Sequence, residues 1–191
     1  MKPRPAFADD LAATREHAFA MLARGVADRR SAFHTPTLAT ISADGVPQLR
    51  TLVLRGFDPT ARSLRLHTDA RAAKAADILA NPRAAMHVYD PAAQLQLRLS
   101  GTAVLHHGDA VSAAGWAASR DFSRMCYAIE PAPGTPAAAP PAAPRDAQAG
   151  APHFAVILFS FTRMEWLWLD ASGHRRARFD FAPDHATWLV P

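Results

Sequence analysis

Residues 50–74 read RTLVLRGFDPTARSLRLHTDARAAK, and this stretch sets the fold. Leu52-Val53-Leu54 is an apolar run, Asp58-Pro59 breaks the chain after it, and Ser63 to Thr68 alternates polar with apolar. That period of two belongs to a half-buried strand. Asp69 then stands as the N-cap of a helix reaching about Leu79 and stopped by Asn81-Pro82, since proline excludes helical geometry from the residue before it. Arg50, Arg55, Thr68, Arg71 and Lys74 fall at the ends of the apolar runs. Guanidinium forks, an ammonium, a hydroxyl and a helix N-terminus are the groups that grip a phosphate-bearing ligand.

Toward the N-terminus, Phe7 to about Arg24 spaces Leu11, Ala12, Ala18, Met21 and Leu22 as one face of an amphipathic helix,. From Pro36 follow two strand-like runs parted by Asp44-Gly45, a tight-turn pair, with Leu52 to Leu54 continuing the second,. Beyond the central stretch, residues 84–89 and 95–105 read as strands separated by Asp90-Pro91, with Gly101 marking a bulge or a close backbone approach,. Residues 109–119 form an alanine-rich helix capped by Asp109,. The Pro/Ala-rich segment 131–152 supports neither helix nor central strand and reads as a long surface loop,. Residues 154–161, 164–169 and 174–181 complete the sheet, Ser172-Gly173 makes the turn before the last of them, and a short tail carries Trp188. Seven or eight antiparallel strands with flanking helices give a mainly β chain, a closed or split β-barrel.

A length of 191 residues suits one domain over 1–191 with the loop at about 131–152,. The formal charge of +4 is small and its arginines are dispersed among acids, which argues against a nucleic-acid partner. Cys126 is the single cysteine, so no intrachain disulfide framework exists. That fits a reducing compartment. Nine histidines without carboxylate or cysteine clusters at ligand spacing point to no metal site,. No run approaches the ~20 apolar residues of a membrane span, and the acidic, h-region-free N-terminus is no secretory signal. The expectation is a cytoplasmic protein.

Three stretches, RTLVLRGF (50–57), LHTDARAAKAADILANPRAAMHVYD (66–90) and QLRLSG (96–101), followed by MEWLWL and HRRARF near the C-terminus, resemble the pyridoxamine 5'-phosphate oxidase-like FMN-binding family. The resemblance implies an antiparallel FMN-binding split β-barrel and a homodimer with FMN in the grooves between subunits. It implies cofactor contacts from Arg50 to the phosphate, from the Leu52 and Val53 backbone to the ring, and from His67, Thr68, Arg71 and Lys74 around the phosphate site. Gln96 is implied to reach the flavin from the partner subunit, and Arg176 to lie near the ring. Arg55 falls where the oxidases carry a lysine for the substrate phosphate, and His174 corresponds to a second substrate contact. Ser172 replaces a substrate-binding arginine, and the substrate-phosphate motif is not recognisable in RDFSRMCYAIEPAPG. This points away from pyridoxamine phosphate and toward another small molecule. The implied activity is an FMN-dependent oxidoreductase with no catalytic residue assigned, because the flavin carries the electron chemistry itself. A flavin-binding or flavin-storing protein without turnover is the alternative. A basic nucleic-acid-binding barrel ranks last, for want of exposed aromatics among the basic residues. On the residues alone, the tryptophans of MEWLWL read as packing, and Gln96 fits an exposed strand face nearly as well as a ligand contact.

Overall fold

The computed structural model describes residues 5–191. Helix α1 spans Leu11–Ala27, with the Asp10 carboxylate accepting from the Ala13 amide at 2.8 Å. It starts after Phe7, which sits in a preceding 3-10 turn, and runs past Arg24 because Gly25 does not break it. A Cβ on Gly25 would lie 2.5 Å from the Phe33 carbonyl oxygen, so glycine here permits a close approach. Thr14, Ala18, Leu22 and Gly25 form the buried stripe, at the spacing an amphipathic helix requires.

Strands β1 (Thr37–Ile41) and β2 (Pro47–Thr51) pair antiparallel across a turn in which Gly45 takes φ +83°. The expected continuation through Leu52 and Val53 does not occur. The Leu52 amide bonds Pro36 O, Val53 lies outside the strands, and the chain re-enters the sheet as β3 (Leu54–Asp58), paired with β4 (Ser63–Asp69). Helix α2 covers Ala73–Ala80. It begins later than the Asp69 cap predicts, because the Asp69 carboxylate accepts instead from the Arg71 amide and side chain in the turn before it.

β5 (Arg83–Asp90) and β6 (Leu95–His106) follow as expected. Helix α3 (Ala110–Ala117) opens with Asp109 and Ser112 in a reciprocal capping box, and a short turn of helix, α4, covers Asp121–Arg124. The Pro/Ala-rich segment is irregular until a 3-10 turn over Gln148–His153. Residues 154–169, predicted as two strands, form the single 15-residue β7 (Phe154–Trp168). The polar Thr162–Arg163 step marks a change of neighbour: Phe154 to Ser160 pair with β4, and Arg163 to Trp168 pair with β8 (Arg175–Phe181). The tail forms β9 (Asp184–Leu189) against β8.

Among the described residues nine strands make one sheet in the order β2-β1-β5-β6-β7-β4-β3, with β8 and β9 branching from β7. β2 and β3 are the two ends of that main run, yet only Leu52 and Val53 join them in sequence. Three Cα steps span at most about 11 Å, so the sheet must curl until those ends nearly meet. It does not close, since no ladder joins β2 to β3. The barrel is split, and Leu52–Val53 bridge the split. Its interior holds Leu38, Leu64, Leu66, Leu97, Leu99, Phe159, Met164, Trp166 and Phe179, sealed by Ala18 and Leu22 of α1 and by Phe33. Each large side chain buried this way contributes roughly 1.5–3 kcal/mol before conformational entropy is counted. Trp166 is therefore core, as packing alone predicts. No helix among the described residues is long and apolar enough to cross a membrane.

Candidate functional site

The β1–β2 register places Arg50 opposite Leu38, on the inward face at the sheet edge. Its guanidinium donates to Thr40 Oγ1 at 2.6 Å and lies 3.4 Å from Asp77 Oδ2 of α2. Thr40 in turn donates to the same Asp77 oxygen at 2.7 Å. One turn earlier on α2, the Lys74 ammonium has no hydrogen-bond partner among the described residues. Burial lowers its pKa, the neighbouring Arg50 charge lowers it further, and Asp69 and Asp77 only partly oppose this. Ala72, the N-cap of α2, offers no side-chain cap to the first-turn amides. Two cations thus lie against α2, Lys74 in its uncapped first turn and Arg50 at Asp77 one turn on, an arrangement that favours an added anion,.

Strand alternation divides the expected His67–Thr68 pair. Thr68 shares the inward face with Leu64 and Leu66, and its hydroxyl makes a single long bond of 3.4 Å to Asp69 O. His67 faces the other way, edge-on to Phe154 with ring centroids 4.8 Å apart. Its Nε2 is buried without a partner. Burial, then Arg55 and Arg65, push its pKa down to about 4.

Arg71 does not project toward Lys74. It bonds both Asp69 oxygens, at 3.0 and 2.8 Å, and reaches Ile129 O at 3.0 Å and the Glu130 carboxylate. His153 Nε2 meets the same Glu130 oxygen at 3.1 Å. Arg71 therefore fastens both ends of the Pro/Ala-rich segment to the end of β4.

Gln96 and Arg176 fall on one cross-strand row with Leu167 between them. Arg176 is tied to Glu165 at 2.7 Å, and His87 Nε2 lies 3.3 Å from Gln96 Oε1. Their neighbours Leu97, Leu99, Ala177 and Phe179 are core, so this row faces outward, opposite to Arg50. A single chain does not bring the two sets together. Arg55 and His174 are also apart: Arg55 lines a cavity of about 300 Å³ with Arg65 and His67, while His174 lines another of about 460 Å³ with Arg175, Arg176 and Trp188. His174 Nδ1 accepts from the Asp170 amide at 3.1 Å.

Thr40 and Asp77, which orient Arg50, escape a reading of charge positions. The available signal was Thr40 at an inward place in the Leu38–Thr40 alternation, where a polar residue needs a partner.

Residues 17–107 match the profile of the FMN-binding domain of pyridoxamine 5'-phosphate oxidase. The pyridoxine/pyridoxamine 5'-phosphate oxidase of Microcystis aeruginosa is 40% identical over 81 residues, covering 42% of this chain and 37% of the relative. That of Pseudomonas paraeruginosa is 45% identical over 65 residues, covering 34% and 29%. Over residues 17–107 the chain carries a pyridoxamine 5'-phosphate oxidase-like FMN-binding domain, and its fold is the split barrel. The matches span about a third of those curated oxidases. Similarity runs further in structure. A pyridoxamine 5'-phosphate oxidase-related, FMN binding protein of Nostoc punctiforme superposes with a TM-score of 0.76 at 27% identity, covering 95% of this chain and 99% of that one. PhzG of Burkholderia lata, solved with tetrahydrophenazine-1-carboxylic acid, shares the fold with a TM-score of 0.74 at 19% identity, covering 100% and 98%.

The donor set fits the FMN-binding character of the matched domain. A phosphate monoester dianion needs charge-assisted donors, and Arg50, the unpaired Lys74 and the uncapped α2 terminus supply them. Val53, outside every ladder at the split, leaves backbone groups for a ring edge. When bound, FMN supplies two-electron exchange, and the protein's own work is to hold, orient and shield it.

The buried His67 also makes the fold acid-sensitive. An unfolded chain takes up a proton at this residue near pH 6.5 and the folded chain only near 4. The unfolded state binds more protons between those values, so this contribution is complete above about 6.5 and is lost as pH falls toward 4. His67→Gln is expected to flatten that part of a stability–pH curve measured by urea unfolding. An unchanged slope would contradict the assignment.

Proposed function

We propose that the protein is a homodimeric, FMN-dependent oxidoreductase of the cytoplasm acting on a small molecule. Arg50 and Lys74 hold the flavin phosphate, and Leu52 and Val53 meet the ring at the split. Gln96 and Arg176 of the partner subunit close the site. The single observation carrying this reading is the Arg50–Thr40–Asp77–Lys74 cluster. Its unpaired, half-buried ammonium lies beside a guanidinium at an uncapped helix terminus, at the mouth of a barrel split where the matched domain is FMN-binding.

The placement of the site residues on one chain supports the dimer reading. Gln96 and Arg176 project from the face opposite Arg50, so a site that uses all of them takes the outward row from a second copy. Arg71 is assigned to tethering the segment after Ile129 rather than to direct phosphate contact, because its donors are already engaged.

The test begins with the visible spectrum of the purified protein and the mass of any released chromophore. The protein is expected to be yellow, or to become so on addition of FMN, at one flavin per chain and two chains per particle. A colourless protein that does not take up FMN refutes the reading. Cycles of bleaching by a dihydronicotinamide and reoxidation in air support turnover. A protein that holds FMN through such cycles without change in absorbance is the flavin-storing alternative.

A further inference from the structure

Two buried polar atoms without a hydrogen-bond partner among the described residues, Trp166 Nε1 and His17 Nδ1, belong to residues that line one cavity. It measures about 270 Å³ and lies at the end of the barrel, between the start of α1 and the turn that joins β5 to β6. Trp166 is fully buried. Phe7, Leu95 and Trp168 add apolar wall. The His17 ring lies parallel to Phe7, with centroids 3.9 Å apart, and Phe7 meets Trp166 edge-on at 6.5 Å.

These walls are held in place from outside the cavity. The buried Thr14 hydroxyl donates to Phe7 O at 2.7 Å, and the Leu169 amide donates to Gln94 O at 2.9 Å. Ala92 and Gln94 on the rim are exposed and leave an entrance. Leu95, Trp166 and Trp168 point inward, whereas Gln96, Leu167 and Arg176 sit on the outward face of the same strands. The sheet thus separates this cavity from that row, and neither Arg50 nor Lys74 lines it.

An unmet polar atom in a core costs free energy, and native cores leave few voids wider than a water molecule. Here the two departures coincide. An ordered water needs about two to four polar partners, and a wall that is chiefly aromatic and aliphatic cannot supply them to the several waters this space would hold. Flat aromatic faces favour a planar ring system instead, and the volume limits it to one or two fused rings. Burial lowers the pKa of His17 and keeps its ring neutral. Asp170 also lines the cavity, and no lysine or arginine does, so a negatively charged ligand would meet a like charge and no counter-charge. The indole N–H only donates, and a neutral imidazole protonated on Nε2 accepts at Nδ1. A ligand that satisfies both carries an acceptor and a donor.

We propose that this cavity binds a neutral, planar heteroaromatic molecule bearing a cyclic amide, whose carbonyl accepts from Trp166 Nε1 and whose N–H donates to His17 Nδ1. The site is independent of the flavin reading.

The probes are 2-quinolone, which carries both groups on two fused rings, naphthalene, which has the shape without them, and quinoline-2-carboxylate, which adds a negative charge. Each is titrated into the purified protein, with and without added FMN, and followed by the NMR signals of the probe. 2-Quinolone is expected to bind at least tenfold more tightly than the other two, because buried polar groups reject an analogue that leaves them unmet. FMN is not expected to displace it. His17→Phe keeps an aromatic ring against Phe7, and Trp166→Phe keeps one in the core. Each is expected to weaken 2-quinolone tenfold or more without weakening naphthalene. If Trp166→Phe does not fold, His17→Phe decides alone. Naphthalene binding as tightly as 2-quinolone would reduce the cavity to an apolar void, and no binding by any probe would leave it to solvent. Either result overturns the proposal. So would tighter binding of quinoline-2-carboxylate, displacement of 2-quinolone by FMN, or 2-quinolone affinity unchanged by the substitutions. A protein that binds 2-quinolone as expected but takes up no FMN would lose the flavin reading and keep this site.

Discussion

Lys74→Met is expected to weaken FMN binding by about 10- to 150-fold while raising the melting temperature of the FMN-free protein. The first effect is the loss of charge-assisted contacts to a phosphate, worth roughly 1.5–3 kcal/mol, at about 1.4 kcal/mol per tenfold change. The second follows from the free site. The ammonium is half-buried, has no hydrogen-bond partner, and stands beside the Arg50 guanidinium, so burial and like charge both oppose its ionisation. A methionine of similar reach keeps the packing and removes that cost. Arg50→Ala is expected to lose a similar amount of FMN affinity but to lower the melting temperature, because it uncovers the buried Asp77, whose other hydrogen-bond partner among the described residues is the Thr40 hydroxyl. The two variants therefore move stability in opposite directions and affinity in the same one. Flavin fluorescence titrations and thermal melts of the FMN-free proteins read both quantities. Unchanged affinity in both would place the phosphate elsewhere.

That contrast also shows how far the site was legible in the sequence. Lys74 and Arg50 stand out as charges at the ends of apolar runs, and the family resemblance gives them a role. What distinguishes them is Asp77, and its side chain reads as one more helix charge until α2 is laid against β1. Arg71 shows the same limit in the other direction. Beside Lys74 in sequence it looks like a phosphate ligand, but its partner Glu130 lies 59 residues away and pulls it to the loop.

The fold was legible where alternation is strict, as in β4, β5 and β6. It was not legible where a strand changes neighbours. The polar Thr162–Arg163 step looks like a break, and in the sheet it is the point where β7 leaves β4 for β8. Conversely, Leu52–Val53 looks like the middle of a strand. Nothing in its residue types reveals that β2 and β3 lie at opposite ends of the sheet's main run, because hydrophobic periodicity reports burial and not pairing.

Gly101→Ala is expected to be the most damaging single methyl addition in the protein. A Cβ on this residue would stand 1.9 Å from the Ser160 carbonyl oxygen and 2.7 Å from Phe161 Cα. Both are backbone atoms in the middle of β7, so no side-chain rotation relieves the clash. The register of β6 against β7 shifts between Ser100 and Gly101, beside the segment where β7 exchanges β4 for β8. Moving the two backbones apart there would loosen both branches of the sheet at once. The expected cost is about 3 kcal/mol or more, at or beyond the usual range for overpacking, seen as a fall in the urea midpoint and in soluble yield. FMN affinity should fall with it, because the split that β3 and β4 form against β2 depends on β4 staying paired to the first half of β7. Gly45→Ala is the control: its added methyl meets nothing within 4 Å, and its φ of +83° leaves only local turn strain of order 1 kcal/mol,. If the two variants unfold at the same urea concentration, the close approach of β6 to β7 is not what fixes the branch.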